Sequence, residues 1–214
     1  MNKLIIDCSA GMSVFLCKGE QVFSKVDENQ KKHTDELLVV VDELLNAAEL
    51  KIKDIDVIGV CIGPGSFTGV RVAISICKGL AIGSGAKVAT VSNFDLFKFE
   101  NEKHFVVLEG FSDYVYVRKI DGKTMQDSCV SIGEFAGEYK EKYSNFKIIA
   151  DNEKTQKRLK MFEINANIIQ KQTIFAVNEK IKSNNYVELN EISPVYLRAS
   201  QAEIERNKRL GGGV

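Results

Sequence analysis

The stretch with the most chemical promise runs from Gly63 to Arg71, GPGSFTGVR, and leads into the nearly uncharged VAISICKGLA. Glycines let a backbone approach a ligand and expose its N–H groups, and a helix that starts just after them carries partial positive charge. Gly65, Ser66, Thr68 and Arg71 are therefore candidates for contact with an anion or nucleotide. The spacing matches neither the GxxxxGK[ST] phosphate loop nor the GxGxxG dinucleotide fingerprint. The competing reading is structural: Gly-Pro-Gly makes a sharp strand-to-helix turn, and Ser66 or Thr68 caps the helix.

Other catalytic constellations are scarce. The two histidines, His33 and His104, lack a second ligand in HxxxH or HExxH spacing, so no metal site is expected. Ser66 lies in no GxSxG elbow. Asp7 ends an apolar run and opens DCSAG, where it reads as a turn-former more than as a ligand for a metal-phosphate. The five cysteines are scattered, without a CxxC pair, and read as buried reduced thiols.

These residues need a scaffold. The chain has 214 residues, 44% hydrophobic and 27% charged, enough for one large or two small cores. Its 29 Lys+Arg balance 29 Asp+Glu, so no overall field draws it to nucleic acid or an anionic membrane, and RNA contact would be local or indirect. The N-terminal apolar run is short for a signal peptide, and no stretch reaches the ~18 apolar residues of a membrane span. A cytoplasmic protein is expected.

Short β-prone runs at 3–7, 12–17 and 20–26 suit a meander with tight turns. A helix follows over 31–50, with Leu37, Val41, Leu44, Leu45 and Ala48 on one stripe and Thr34 or Asp35 as cap. The continuous apolar run 56–63 fits a strand covered on both faces. A second helix over 68–85 ends in glycines, and 87–91 is another strand. This order predicts an α/β domain with a mixed sheet. After the helical-looking SNFDLFKF, a polar stretch at 98–103 marks a boundary. Strands restart at 104–110, 113–120 and 123–132, the last two joined by a hairpin at Asp121-Gly122.

Both helices carry more apolar surface than one sheet can cover. On the second, Val70, Ala73, Ile74, Cys77, Leu80 and Ala81 suffice for docking, yet Val72, Ile76, Gly79 and Gly83 form another apolar face. On the first, Leu38, Val40 and Ala47 lie outside the main stripe. Such helices are fully enclosed or share a face with a partner, and the second is the favoured reading.

Three blocks, LIIDCSAGMSVFL with HTDELL, IDVIGVCIGPGSFTGVRVAISICKGLA, and the tail SPVYLRASQAEIER, together resemble the TsaB (YeaZ) family of bacterial tRNA threonylcarbamoyladenosine biosynthesis proteins. The likeness is close over residues 1–95, moderate in the tail, and one of layout alone over 100–190. It implies an actin-like (ASKHA) α/β fold of two related lobes, 1–100 carrying the partner-binding helices and 101–214 forming a smaller lobe with the C-terminal tail. It implies a non-catalytic subunit supporting TsaD, with TsaE, in placing threonylcarbamoyl on N6 of adenosine 37 in tRNAs reading ANN codons. The catalytic paralogue carries HxxxH on the corresponding helix; here Leu37 stands four residues after His33. The implied interface comprises His33, Leu37, Leu38 and Val41 with Phe67, Val72, Ile76, Gly79 and Gly83. A homodimer of the isolated chain, indirect tRNA contact, no intrinsic cofactor and ATP or ADP only at the partner interface complete the expectation. The alternative is a nucleotide-binding or ATP-dependent enzyme of the same superfold. The second lobe departs from the family pattern DARxGEVY, with EGFSDYVY at 109–116.

Overall fold

The computed structural model describes residues 1–27, 33–97, 103–169 and 171–197. The chain opens as a meander, β1 (Asn2–Asp7), β2 (Met12–Lys18) and β3 (Gln21–Asp27), then α1 (His33–Ala47), β4 (Val57–Cys61), α2 (Phe67–Ser84) and β5 (Lys87–Val91). A second series follows: β6 (Lys103–Glu109), β7 (Tyr114–Asp121), β8 (Thr124–Ser131), α3 (Ile132–Lys142), β9 (Lys147–Ala150), α4 (Glu153–Lys160), β10 (Asn167–Ile168) and α5 (Thr173–Lys182).

The two sheets repeat one topology. The first has the order β3-β2-β1-β4-β5 and the second, read from its far edge, β8-β7-β6-β9-β10. In each, the first strand pairs antiparallel with the second and parallel with the fourth. The hairpin falls one residue later than the sequence suggests: Asp121 pairs with Thr124, and Gly122, at φ 60°, takes the first turn position. Among the described residues of SNFDLFKF, the structure has a 3-10 turn, Asn93–Leu96, capped by Ser92.

Strand alternation explains the continuous apolar runs. Leu4 and Ile6 of β1 face a core shared with α1 and α2, while Ile5 faces a junction core. Likewise Phe105 and Val107 of β6 face α3 and α4, and Val106 and Leu108 face the junction. Both strands are thus buried on two faces, as parallel neighbours demand. The junction core joins Ile5, Cys61, Val91 and Phe94 of the first half to Leu108 and Ile149 of the second, with Ala176 and Val177 of α5.

A division at residue 100 describes the sheets but not residues 173–197, which return to the first lobe. There α5 packs on β1 and β5. Val187 N–H donates to the Val88 carbonyl (3.0 Å), and Val195 N–H to that of Ile62 (2.8 Å). The expectation that no stretch reaches membrane-spanning length and apolarity needs one correction, because α2 passes on both counts. It is nevertheless a layer of this lobe: Val70, Ala73, Ile74, Cys77 and Ala81 are buried in its core.

Candidate functional site

The loop before α2 is pinned from several directions. Ser66 N–H donates to the Ser9 carbonyl (2.7 Å), and the Ser66 hydroxyl caps α2 by accepting from Gly69 N–H (3.2 Å). Asn93 donates through its backbone to the Gly63 carbonyl (2.6 Å) and through its side chain to that of Pro64 (3.0 Å). A Cβ at Gly65 would collide with the Ser9 carbonyl, and one at Gly69 with that of Cys8. These two glycines therefore serve close backbone packing against the β1–β2 turn. Two of the amides that an anion would need, those of Ser66 and Gly69, are already bonded within the chain. Asp7 acts as the turn-former, its carboxylate accepting from Ser9 N–H at 2.9 Å.

Thr68 is exposed at the helix start. Arg71 is held rigidly, its guanidinium 3.8 Å from the Phe67 ring centroid and its Nε donating to the Tyr196 hydroxyl at 2.7 Å. Phe67 and Tyr196 themselves lie 5.1 Å apart. Arg71 is exposed, and a guanidinium suits a carboxylate or phosphate.

The structure sorts the interface candidates by exposure. Leu37 and Val41 are core residues, at 0% and 3% exposure, and support the face from beneath instead of forming it. Val40, read as surplus, is also core. The side chains of His33, Thr34 and Asp35 are not described, but their backbone belongs to α1, which places Thr34 and Asp35 within the helix rather than at a cap before it. Leu38 is exposed (53%), as is Phe67, while Val72 and Ile76 are half-buried. Gly79 and Gly83 are exposed, and a Cβ at either would meet nothing within 4 Å. Sequence reasoning missed Val39 and Ile82, the latter 74% exposed. The signal for Val39 was present: a helix cannot turn all five residues of the run 37–41 inward. Because α1 and α2 pack side by side, these residues give the first lobe an apolar outer layer.

Among the described residues, the remaining titratable groups form no cluster set up for catalysis. His104 is buried in β6 of the other sheet. Burial pushes the Cys8 and Cys77 thiols up to about 12, and those of Cys17 and Cys61 upward as well, so none is poised as a nucleophile. An open cavity of about 590 Å³ lies at the opposite end of α2, beside Lys53, Asp56, Gly85, Lys87 and Tyr186, and includes none of the candidate residues. Among the described residues, no group of three or more His, Cys, Asp or Glu side chains could hold a metal ion.

Residues 21–129, just over half of the chain, match the family model described as TsaD: tRNA N6-adenosine threonylcarbamoyltransferase. The match spans α1, the glycine-rich loop and α2. The tRNA threonylcarbamoyladenosine biosynthesis protein TsaB of Buchnera aphidicola (subsp. Acyrthosiphon pisum, strain APS) is 28% identical over 197 residues, covering 87% of this chain and 84% of its own. The Escherichia coli K12 protein of the same name is 34% identical over 93 residues, 43% of this chain and 40% of its own. A Pseudomonas aeruginosa protein described as similar to peptidase YeaZ superposes with a TM-score of 0.73 at 21% identity, over 92% of this chain and 99% of that one.

Proposed function

This chain belongs to the TsaB (YeaZ) branch of the TsaD family and has its actin-like (ASKHA) fold, and from that premise we propose that it is the non-catalytic subunit that binds TsaD. Its role lies in tRNA threonylcarbamoyladenosine biosynthesis. With TsaE, the complex transfers threonylcarbamoyl to N6 of adenosine 37 in tRNAs reading ANN codons, in the cytoplasm, with tRNA held mainly by the partners. The same face pairs two copies when the chain is alone.

One observation carries the proposal: the outer face of α1 and α2 exposes Leu38, Val39, half-buried Val72 and Ile76, and bare Gly79 and Gly83, more apolar surface than the described residues cover. A helix with glycines on its outer side admits a neighbouring helix closely. Leu37, four residues after His33, adds to the non-catalytic reading, because a core leucine stands where a metal ligand would. Arg71, Thr68 and Ser66 at the rim suit an anionic group of TsaD, or ATP or ADP held between the subunits.

Gly79→Arg places bulk and charge on this face where a side chain meets nothing within 4 Å, and Ile76→Glu places charge at a half-buried position on the edge of the core. Both variants are expected to lose co-purification with TsaD, with Gly79→Arg keeping the fold of the monomer and Ile76→Glu lowering its thermal midpoint modestly. Retention of TsaD at the wild-type level by both would exclude this surface. Calorimetry with ATP, on the chain alone and with TsaD, tests the nucleotide; turnover by the chain alone would favour an enzyme instead.

A further inference from the structure

We propose that the second lobe sets the position of the Gly63–Ser66 loop, and with it the start of α2, through two polar linkages across the lobe junction. The first begins at Arg118 on β7. Its guanidinium grips Asp127 on β8 with two bonds (2.7 and 2.8 Å) and reaches over to Asp95 of the first lobe at 2.5 Å. It also lies 4.7 Å from the Phe94 ring centroid, with only 14% of its side chain exposed. Asp95 shares the 3-10 turn with Asn93, and Asn93 makes both bonds to the Gly63 and Pro64 carbonyls. Arg118 therefore acts on the loop through a single rigid turn.

The second linkage begins at Lys171, on the segment leaving β10. Its ammonium lies 3.5 Å from the Asp7 carboxylate and 3.4 Å from the Ser9 hydroxyl. The carbonyl of the same Ser9 accepts from Ser66 N–H. The neighbouring Gln172 N–H donates to the Leu96 carbonyl at 2.7 Å, tying both linkages to one turn. A desolvated arginine with three charge-assisted bonds fixes one arrangement more than it adds stability. The shared destination of the two linkages suggests what that arrangement is for. Only the consequence for partner binding rests on the reading of α2 as the TsaD face; the linkage belongs to the isolated chain.

Amide hydrogen exchange on the full-length chain, wild type against Arg118→Met and Asp95→Asn, tests it. The Ser66, Gly69 and Val70 amides are expected to exchange at least ten-fold faster in both variants, with β1, β4 and residues 77–84 unchanged. Adding Asn93→Ala to Arg118→Met should give no further increase, because both act on one line. Unchanged exchange at 66–70 while β7 and β8 loosen would overturn the proposal, as would uniform acceleration or additive effects. TsaD affinity of Arg118→Met is expected to fall about ten-fold. If wild type itself fails to bind TsaD, the proposed function fails and the exchange result still decides the linkage.

Discussion

Leu37 and Leu38 are adjacent, chemically identical and opposite in consequence, which makes them the sharpest test of the face described above. Leu37 is fully buried among the residues that α1 packs on the first sheet, while Leu38 is 53% exposed. Leu37→Ala removes buried methyl groups and leaves a cavity, costing about 2–5 kcal/mol. For a chain of this size each kcal/mol moves the thermal midpoint by about 2–4 °C, so a fall of roughly 6–12 °C is expected for a cost near 3 kcal/mol. Leu38→Ala should leave the isolated chain within about 0.5 kcal/mol of wild type. When a partner covers its exposed half, it forfeits about half of the 1.5–3 kcal/mol that full burial of a leucine supplies. That is about 1 kcal/mol, a roughly five-fold weaker Kd for TsaD. Differential scanning calorimetry at two protein concentrations, with TsaD titrations, separates the two. A concentration-dependent midpoint affected only by Leu38→Ala marks self-association through the same face. If Leu38→Ala destabilises the monomer as much as Leu37→Ala, or if TsaD affinity ignores Leu38, the assignment of faces is wrong.

Thiol labelling and pH dependence check the interior. With Cys8, Cys17, Cys61 and Cys77 buried and their thiols held protonated, only half-exposed Cys129 should react with iodoacetamide in the native chain at pH 8; rapid labelling of a second cysteine would contradict the packing. Asp151, whose carboxylate accepts from Glu109 N–H at 2.9 Å, has its pKa raised above 3.8 chiefly by burial. A raised carboxylate pKa favours the protonated folded state, so its contribution is complete below the unfolded pKa and is lost as pH rises through the folded value. Asp151→Asn should therefore increase the urea midpoint at pH 7 and leave it unchanged near pH 3, and a decrease at pH 7 would refute the sign.

The legible parts of this fold are those written in local pattern. The run Asp56–Gly63 shows a strand covered on both faces, and Asp121-Gly122 a hairpin, because strand burial and turn geometry each select residue types directly. The apolar run Leu37–Val41 shows that surplus surface exists but not which residues carry it, since a run without polar interruption has no phase; the structure turns Leu38 and Val39 outward and the others inward. The return of residues 173–197 to the first lobe was not legible, because the apolar stripe of α5 does not say which sheet it covers and single backbone bonds such as Val195 to Ile62 require no particular side chain. No local pattern links Arg118, Asp95 and Asp127, and only the closing of the junction brings Asp95 to the other two.

The glycine-rich loop shows why motif chemistry and fold chemistry are hard to separate. Each feature that invites an anion, small residues, a serine and free amides before a helix, also serves to seat a backbone tightly on a neighbouring turn. What separates the roles is the fate of the amides. At a phosphate loop they point at the ligand; here Ser66 N–H is given to Ser9 and Gly69 N–H to Ser66, and the opposite side of the loop is held by Asn93. The loop is thus a joint whose position depends on the β1–β2 turn and on the lobe junction together. Arg71, one helical turn further on, lies 3.8 Å from the Phe67 ring centroid and donates to the Tyr196 hydroxyl, and with exposed Thr68 it stays available to an anion. The surface proposed for a partner thus lies on the outside of the first lobe, while the junction, where the two repeats meet, combines an apolar core with the Arg118 and Lys171 linkages.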